Sequence, residues 1–145
     1  MEFDMNYNLQ RFIDAQDQDY ETALSEIKNG RKCTHWIWYV FPQLKGLGHS
    51  YNSTYFGVLN IEEAKEYYQH PILGKRLIEI TEALLEHSNK TADEILTHID
   101  AVKVNSCMTL FWIATSNQLF KNVIDIFYSG ECDKITIKKI EDNQK

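Results

Sequence analysis

Lys103, Ser106 and Thr109 stand inside the apolar run VKVNSCMTLFWI, residues 102–113. On a helix at 100° per residue they step round one side at roughly 60° intervals. Val104, Cys107, Met108 and Phe111 make the continuous apolar face beside them. An ammonium in that company needs a counter-charge or an anionic ligand, because an unpaired charge away from water is costly. The stretch THWIWYVFPQLKGLGHS, Thr34 to Ser50, holds a second group of candidates. Trp36 and Trp38 offer flat rings beside His35, and Gln43, His49 and Ser50 offer side-chain hydrogen bonds. Gly46 and Gly48 permit backbone angles that other residues avoid and let a ligand approach the main chain, where free N–H groups suit phosphate or carboxylate. Tyr55 adds a further ring. In QHPILGKR, Pro71 is expected to open a helix whose first N–H groups are unpaired. His70 lies just before that opening, and Arg76, further in, has the fork geometry that grips carboxylate or phosphate.

Each group also has a purely structural account. Ser106 and Thr109 can bond to carbonyls one turn back while Lys103 reaches out to water. Aromatic clusters are usually core. His70 can cap its helix, and Arg76 can pair with Glu79, Glu82 or a more distant acid.

Taken as one site, these residues describe a cleft with flat walls and cationic ends. The expected function is binding of a small anionic ligand, a nucleotide or an ADP-ribose-like molecule, for sensing or sequestration. Stacking contributes on the order of 1–3 kcal/mol per base, and charge-assisted bonds add to it. The alternative is an enzyme, a hydrolase or transferase acting on such a nucleotide derivative. His35 or His70 would then be the acid or base, since histidine titrates near neutrality, with Ser106 or Cys107 a weaker candidate nucleophile. A second alternative is a protein-interaction module using the aromatic patch.

Bulk properties narrow the field. A chain of 145 residues suits one domain, and 43% hydrophobic with 25% charged residues is a soluble globular composition. The net charge of −6 argues against general nucleic-acid binding, in which Lys and Arg neutralise phosphates. No apolar run approaches the roughly 20 residues of a membrane span, and the acidic, polar start MEFDMNYNLQ is not expected to act as a signal peptide. Cys33, Cys107 and Cys132 are odd in number and far apart, which fits neither a disulfide framework nor a cysteine zinc site. A reducing, cytoplasmic location follows as the expectation, in a cell or an infected host cell. The five histidines show no i, i+4 pair, and no phosphate-loop, dinucleotide, zinc-protease or nucleophile-elbow motif occurs. No metal and no cofactor are expected, and the oligomeric state is open.

The elements that must position these residues read as helices throughout. Leu9, Phe12, Ile13 and Gln16, then Tyr20, Ala23, Leu24 and Ile27, recur at helical spacing up to the stop at Asn29-Gly30. HWIWYVF is expected as a short helix, with a strand as the alternative. A loop spans Pro42 to about Thr54. Leu73, Leu77, Ile80 and Leu84 form a stripe, and Thr91 with Glu94 matches a capping box. Leu119, Val123, Ile126 and Phe127 suggest a further helix, and DKITIKKI reads as a short helix or an extended tail. The expected architecture is a single all-α domain over residues 1–145. It comprises about six to eight short helices and one long aromatic-rich loop, with tails near 1–6 and 141–145.

Three segments, GRKCTHWIWYVFPQLKGLGHS, YYQHPILGKRLIE and VKVNSCMTLF, together resemble the bacterial family known as domain of unknown function 1810. The resemblance runs from LQRFIDAQ to FYSG. Its pattern falls on His35, Trp36, Phe41, Pro42, Gln43, Gly46, Gly48, Ser50 and Tyr55, on His70, Pro71, Gly74 and Arg76, and on Lys103, Ser106, Met108, Thr109 and Phe111. Cys107 stands where a small serine-like residue is common, and Ile37 where methionine is common. The resemblance implies a compact, mainly helical single domain and carries no established reaction.

Overall fold

Because the segment around Cys107 is apolar on nearly every side, it must be surrounded rather than merely covered. The computed structural model describes residues 7–144 and places that segment at the centre, as α7 (His98–Thr115). Val104, Cys107, Met108, Leu110 and Phe111 have no exposed surface. Around α7 pack α2 (Ile37–Val40), α4 (Ile61–Gln69), α6 (Ala92–Leu96), α8 (Gln118–Phe127) and α9 (Lys134–Asn143). An outer pair, α1 (Gln10–Lys28) and α5 (Leu73–Leu85), closes the other side by packing on each other, with α1 against α2 and α5 against α4 and α8. With α3 (Tyr51–Tyr55) there are nine α-helices and no strand among the described residues, so the chain is all-α. None of these helices is long and apolar enough to cross a membrane.

Local chemistry sets the helix boundaries. Ser50, Asn60, Thr91, Asn117 and Asp133 each accept a hydrogen bond from a backbone N–H of the first turn that follows. Thr91 and Glu94 form the complete capping box. Gly30, at φ +78°, ends α1 in the left-handed region.

Several details depart from the sequence reading. The two amphipathic segments before Gly30 are one 19-residue helix. HWIWYVF yields only the four-residue α2, and DKITIKKI is helical, so α9 runs to Asn143, through much of the expected C-terminal tail. The expected loop from Pro42 to Thr54 is interrupted by α3. Helix α5 begins at Leu73, after a turn that includes Pro71, and α7 begins at His98. On α8 the buried stripe is Phe120, Val123 and Ile124, and Ile126 is half exposed, because the contact with α7 and α5 fixes a different helix rotation. The expected tail at 1–6 lies outside the described residues.

Two features fix the loop that carries Gln43. Residues 43–45 pair in parallel with Val58: the Val58 N–H donates to the Gln43 carbonyl at 2.9 Å, and the Lys45 N–H to the Val58 carbonyl at 2.7 Å. A side chain at Gly57 would put its Cβ 2.7 Å from Lys45 Cα, so only glycine allows this approach. Arg11 then ties the returning arm of the loop to α1. Its Nε donates to the Tyr55 carbonyl, its Nη2 to the Gly57 carbonyl, and its Nη1 pairs with Glu63 at 2.9 Å. Glu63 is 1% exposed but fully engaged, since its other oxygen accepts the Leu59 N–H at 2.7 Å.

Candidate functional site

A recess of about 350 Å³ opens between the 43–53 segment, the first half of α7 and the start of α9. Its polar groups come from Gln43, Ser53, Lys103, Ser106, Asp133 and His98, and its apolar rim from Leu47, Ile99, Val102 and Ile135, with Gly48 at one edge. Ile99, Val102 and Ile135 are all substantially exposed. A slot of about 10 Å³, room for roughly one water, adjoins it. The slot shares Gln43, Ser53 and Lys103 with the recess and is walled by Trp38, Phe41 and Phe56. A depression of about 390 Å³ between α6, α7 and α8 shares His98, Val102 and Asp133 with the recess, but it has two aspartates and no Lys or Arg.

Lys103 is the cation of the recess. Its Nζ lies 5.3 Å from the Trp38 ring centroid and 3.6 Å from Asp100 Oδ1, one helical turn back. That separation exceeds a hydrogen bond. The other oxygen of Asp100 is held at 2.9 Å by Lys32, whose side chain is 7% exposed and sits over the Trp36 ring at 4.8 Å.

Gln43 supplies an unsatisfied acceptor. Its side-chain Oε1 is buried and has no hydrogen-bond partner among the described residues. Such a group carries a desolvation cost of about 1–3 kcal/mol until something donates to it.

Ser106 and Thr109 join α7 to α9. Ser106 Oγ donates to Asp133 Oδ2 at 3.0 Å, and the Asp133 N–H donates to Thr109 Oγ1 at 2.9 Å. The same Asp133 oxygen caps α9 by accepting the Thr136 N–H and hydroxyl. Ser106 reaches the recess, whereas Thr109 is sealed beneath it. Cys107 is wholly buried, and burial pushes its thiol up, away from the reactive thiolate form.

The remaining sequence candidates lie elsewhere. Trp36 is 1% exposed in the core, and its indole N–H donates to Glu26 at 2.9 Å. Glu26 also accepts the N–H groups of Cys33 and Thr34 and the Thr34 hydroxyl. Burial alone would raise the Glu26 carboxyl, but these bonds outweigh it and bring it down to about 2. His35 is exposed and outside the recess. His70 caps the turn before α5, its Nδ1 accepting from the Ile72 and Leu73 N–H groups. Arg76 belongs to the α1–α5 seam, paired with Asp17 at 3.0 Å and lying over the Tyr20 ring. Ser50 is the α3 cap, and Gly46, at φ +99°, lies against the Lys139 side chain. Tyr55 stacks on Tyr51 and borders a separate depression with Arg11 and Lys45.

Of the three expected segments, two therefore meet: Trp38, Gln43 and Gly48 from the first, and Lys103 and Ser106 from the third. The reading missed Ser53, His98, Asp133 and the aliphatic rim. Asp100 was legible as the acid one turn before Lys103, while Lys32 carried no local signal.

Comparison with known proteins fits this architecture. A family model described as protein of unknown function (DUF1810) matches residues 6–140. The chain belongs to this family. A crystal structure within reach of the same fold is that of the conserved hypothetical protein Rv1873 from Mycobacterium tuberculosis. It is 39% identical, with a TM-score of 0.91 over 92% of this chain and 96% of that one. No curated protein matches the chain. In this DUF1810 chain, the family-pattern positions Gln43, Gly48, Lys103 and Ser106 border the recess, while Trp36, Phe41, Met108, Thr109 and Phe111 are buried.

Proposed function

We propose that this protein binds a small anionic ligand bearing a flat, hydrogen-bonding group, of nucleotide or ADP-ribose type, in the Gln43–Lys103 recess, to sense or sequester it. The supporting observation is that Gln43, whose buried Oε1 has no partner among the described residues, and Lys103, whose ammonium is incompletely paired, line the same cavity. A ligand that donates an N–H to Gln43 and offers phosphate or carboxylate to Lys103 meets both needs at once. Glutamine amides are suited to the donor–acceptor edge of a base, and lysine to phosphate as a point charge. Leu47, Ile99, Val102 and Ile135 offer apolar cover to ring faces. An enzymatic reading has less support, because His35 and His70 lie outside the recess and Cys107 is sealed.

Thermal unfolding with AMP, ADP-ribose and inorganic phosphate tests the proposal. A ligand at 100 times its Kd adds about 2.7 kcal/mol, which raises Tm by about 5 °C or more for a chain of this size. The rise disappears in Lys103→Ala. No rise with any probe, or an equal rise in Lys103→Ala, removes the reading. Mass spectrometry of the same mixtures shows whether the ligand is returned unchanged.

A further inference from the structure

Two ammonium groups share one carboxylate beside the recess, and they share it unequally. Lys32 takes Asp100 Oδ2 at 2.9 Å, whereas Lys103 stands 3.6 Å from Oδ1. Lys32 is held from all sides: it bonds to the Thr34 carbonyl, lies over Trp36, and its backbone N–H donates to the Ile95 carbonyl at 2.7 Å. Its side chain is 7% exposed and that of Asp100 16%, so screening by solvent is weak for this pair. The Lys103 ammonium makes no hydrogen bond to any described residue, and its side chain, 25% exposed, lines the recess. The other carboxylate on the recess, Asp133, is spent on Ser106 and on the first turn of α9, where the helix terminus offsets its charge.

Building on the reading of this recess as a ligand site, we infer that Lys32 is a positioning residue: by holding Asp100, it keeps Lys103 available to the ligand's anionic group. Without Lys32, the Asp100 carboxylate is free to turn fully onto Lys103, and an incoming anion must then displace it. The recess thereby prefers a phosphate or carboxylate group over a neutral ligand of the same shape. Lys32 itself, nearly buried under Thr34 and Asp100, need not touch the ligand.

Loss of Lys32 and loss of the Asp100 carboxylate should have opposite effects, with compensation in the double variant. Inorganic phosphate is titrated into the protein while the Lys103 side-chain and Trp38 indole resonances are followed by NMR, with AMP as a second probe. Lys32→Met is expected to weaken phosphate about tenfold, and Lys32→Arg, which keeps the charge, to bind more tightly than Lys32→Met. Asp100→Asn is expected to tighten phosphate. Lys32→Met/Asp100→Asn, which removes the cation and the competing carboxylate together, is expected to recover the affinity lost in Lys32→Met. Equal affinities in all four variants and the parent overturn the inference, as does a double variant as weak as Lys32→Met. Absence of any phosphate response in the parent chain overturns it too. A phosphate response that obeys this pattern with no response to AMP leaves the ion bridge standing and rejects the nucleotide-like ligand.

Discussion

Gln43 and Glu26 show opposite treatments of a polar group near the core. Glu26 is surrounded by donors, and Gln43 Oε1 has none among the described residues. If Gln43 is kept for a ligand, Gln43→Met leaves the ligand-free protein as stable as before or more so, by up to about 1–2 kcal/mol, because an unpaired acceptor has been removed. The same variant loses stabilisation by AMP, and calorimetry with and without AMP reads both effects. A stability loss in Gln43→Met would instead make the amide a structural group. For Glu26, the carboxyl lies at about 2 in the folded chain against an ordinary value of 4.5. A depressed acid stabilises the fold above its unfolded value and loses that contribution as pH falls through its folded value. Glu26→Gln should therefore lower stability near neutrality, by about 1–3 kcal/mol, and flatten the decline between about pH 4.5 and 2, as measured by denaturant unfolding across that range.

At the scale of elements, short linkers force close approaches that only small residues allow. Helices α4 and α5 join through the turn at Pro71, and a Cβ on Gly74 would lie 1.9 Å from the Tyr68 carbonyl oxygen. That neighbour is backbone and cannot swing aside. Gly74→Ala should cost about 1–3 kcal/mol in urea unfolding, more than a helix-interior alanine would gain from propensity. Thr91→Ala, which removes the capping box before α6, should cost about 1 kcal/mol by the same measurement. The two losses should add, since the sites lie in separate helix pairings, α4–α5 and α6–α7.

Across the whole molecule, the cations divide between seams. Arg11 closes the loop onto α1, Arg76 ties α5 to α1, and Lys103 stands at the recess. Arg76→Ala and Lys103→Ala should thus behave differently. Arg76→Ala lowers Tm slightly and leaves phosphate affinity intact, because its exposed pair with Asp17 contributes about 1 kcal/mol or less. Lys103→Ala abolishes phosphate binding with little change in Tm. Phosphate titration of both variants decides it, and loss of binding in Arg76→Ala would return that residue to the site.

The sequence alone determined most of the helices and their buried stripes. Tyr20 to Ile27, Leu73 to Leu84 and Val104 to Phe111 repeat at the helical period, and caps such as Thr91 act through neighbours in the chain. Family membership was legible for the same reason, in local motifs. Tertiary structure alone decided which polar groups meet. Trp36 and Trp38 are two residues apart, yet one is sealed against Glu26 and the other walls the slot, because α2 is too short to carry a regular face. Arg76 and Lys103 look alike as cations in apolar segments, and what separates them comes from elsewhere in the chain: Asp17 on α1 takes Arg76, while Lys32 takes the Asp100 carboxylate and leaves Lys103 at the recess. Such pairings depend on where helices cross, and periodicity within one helix does not encode that.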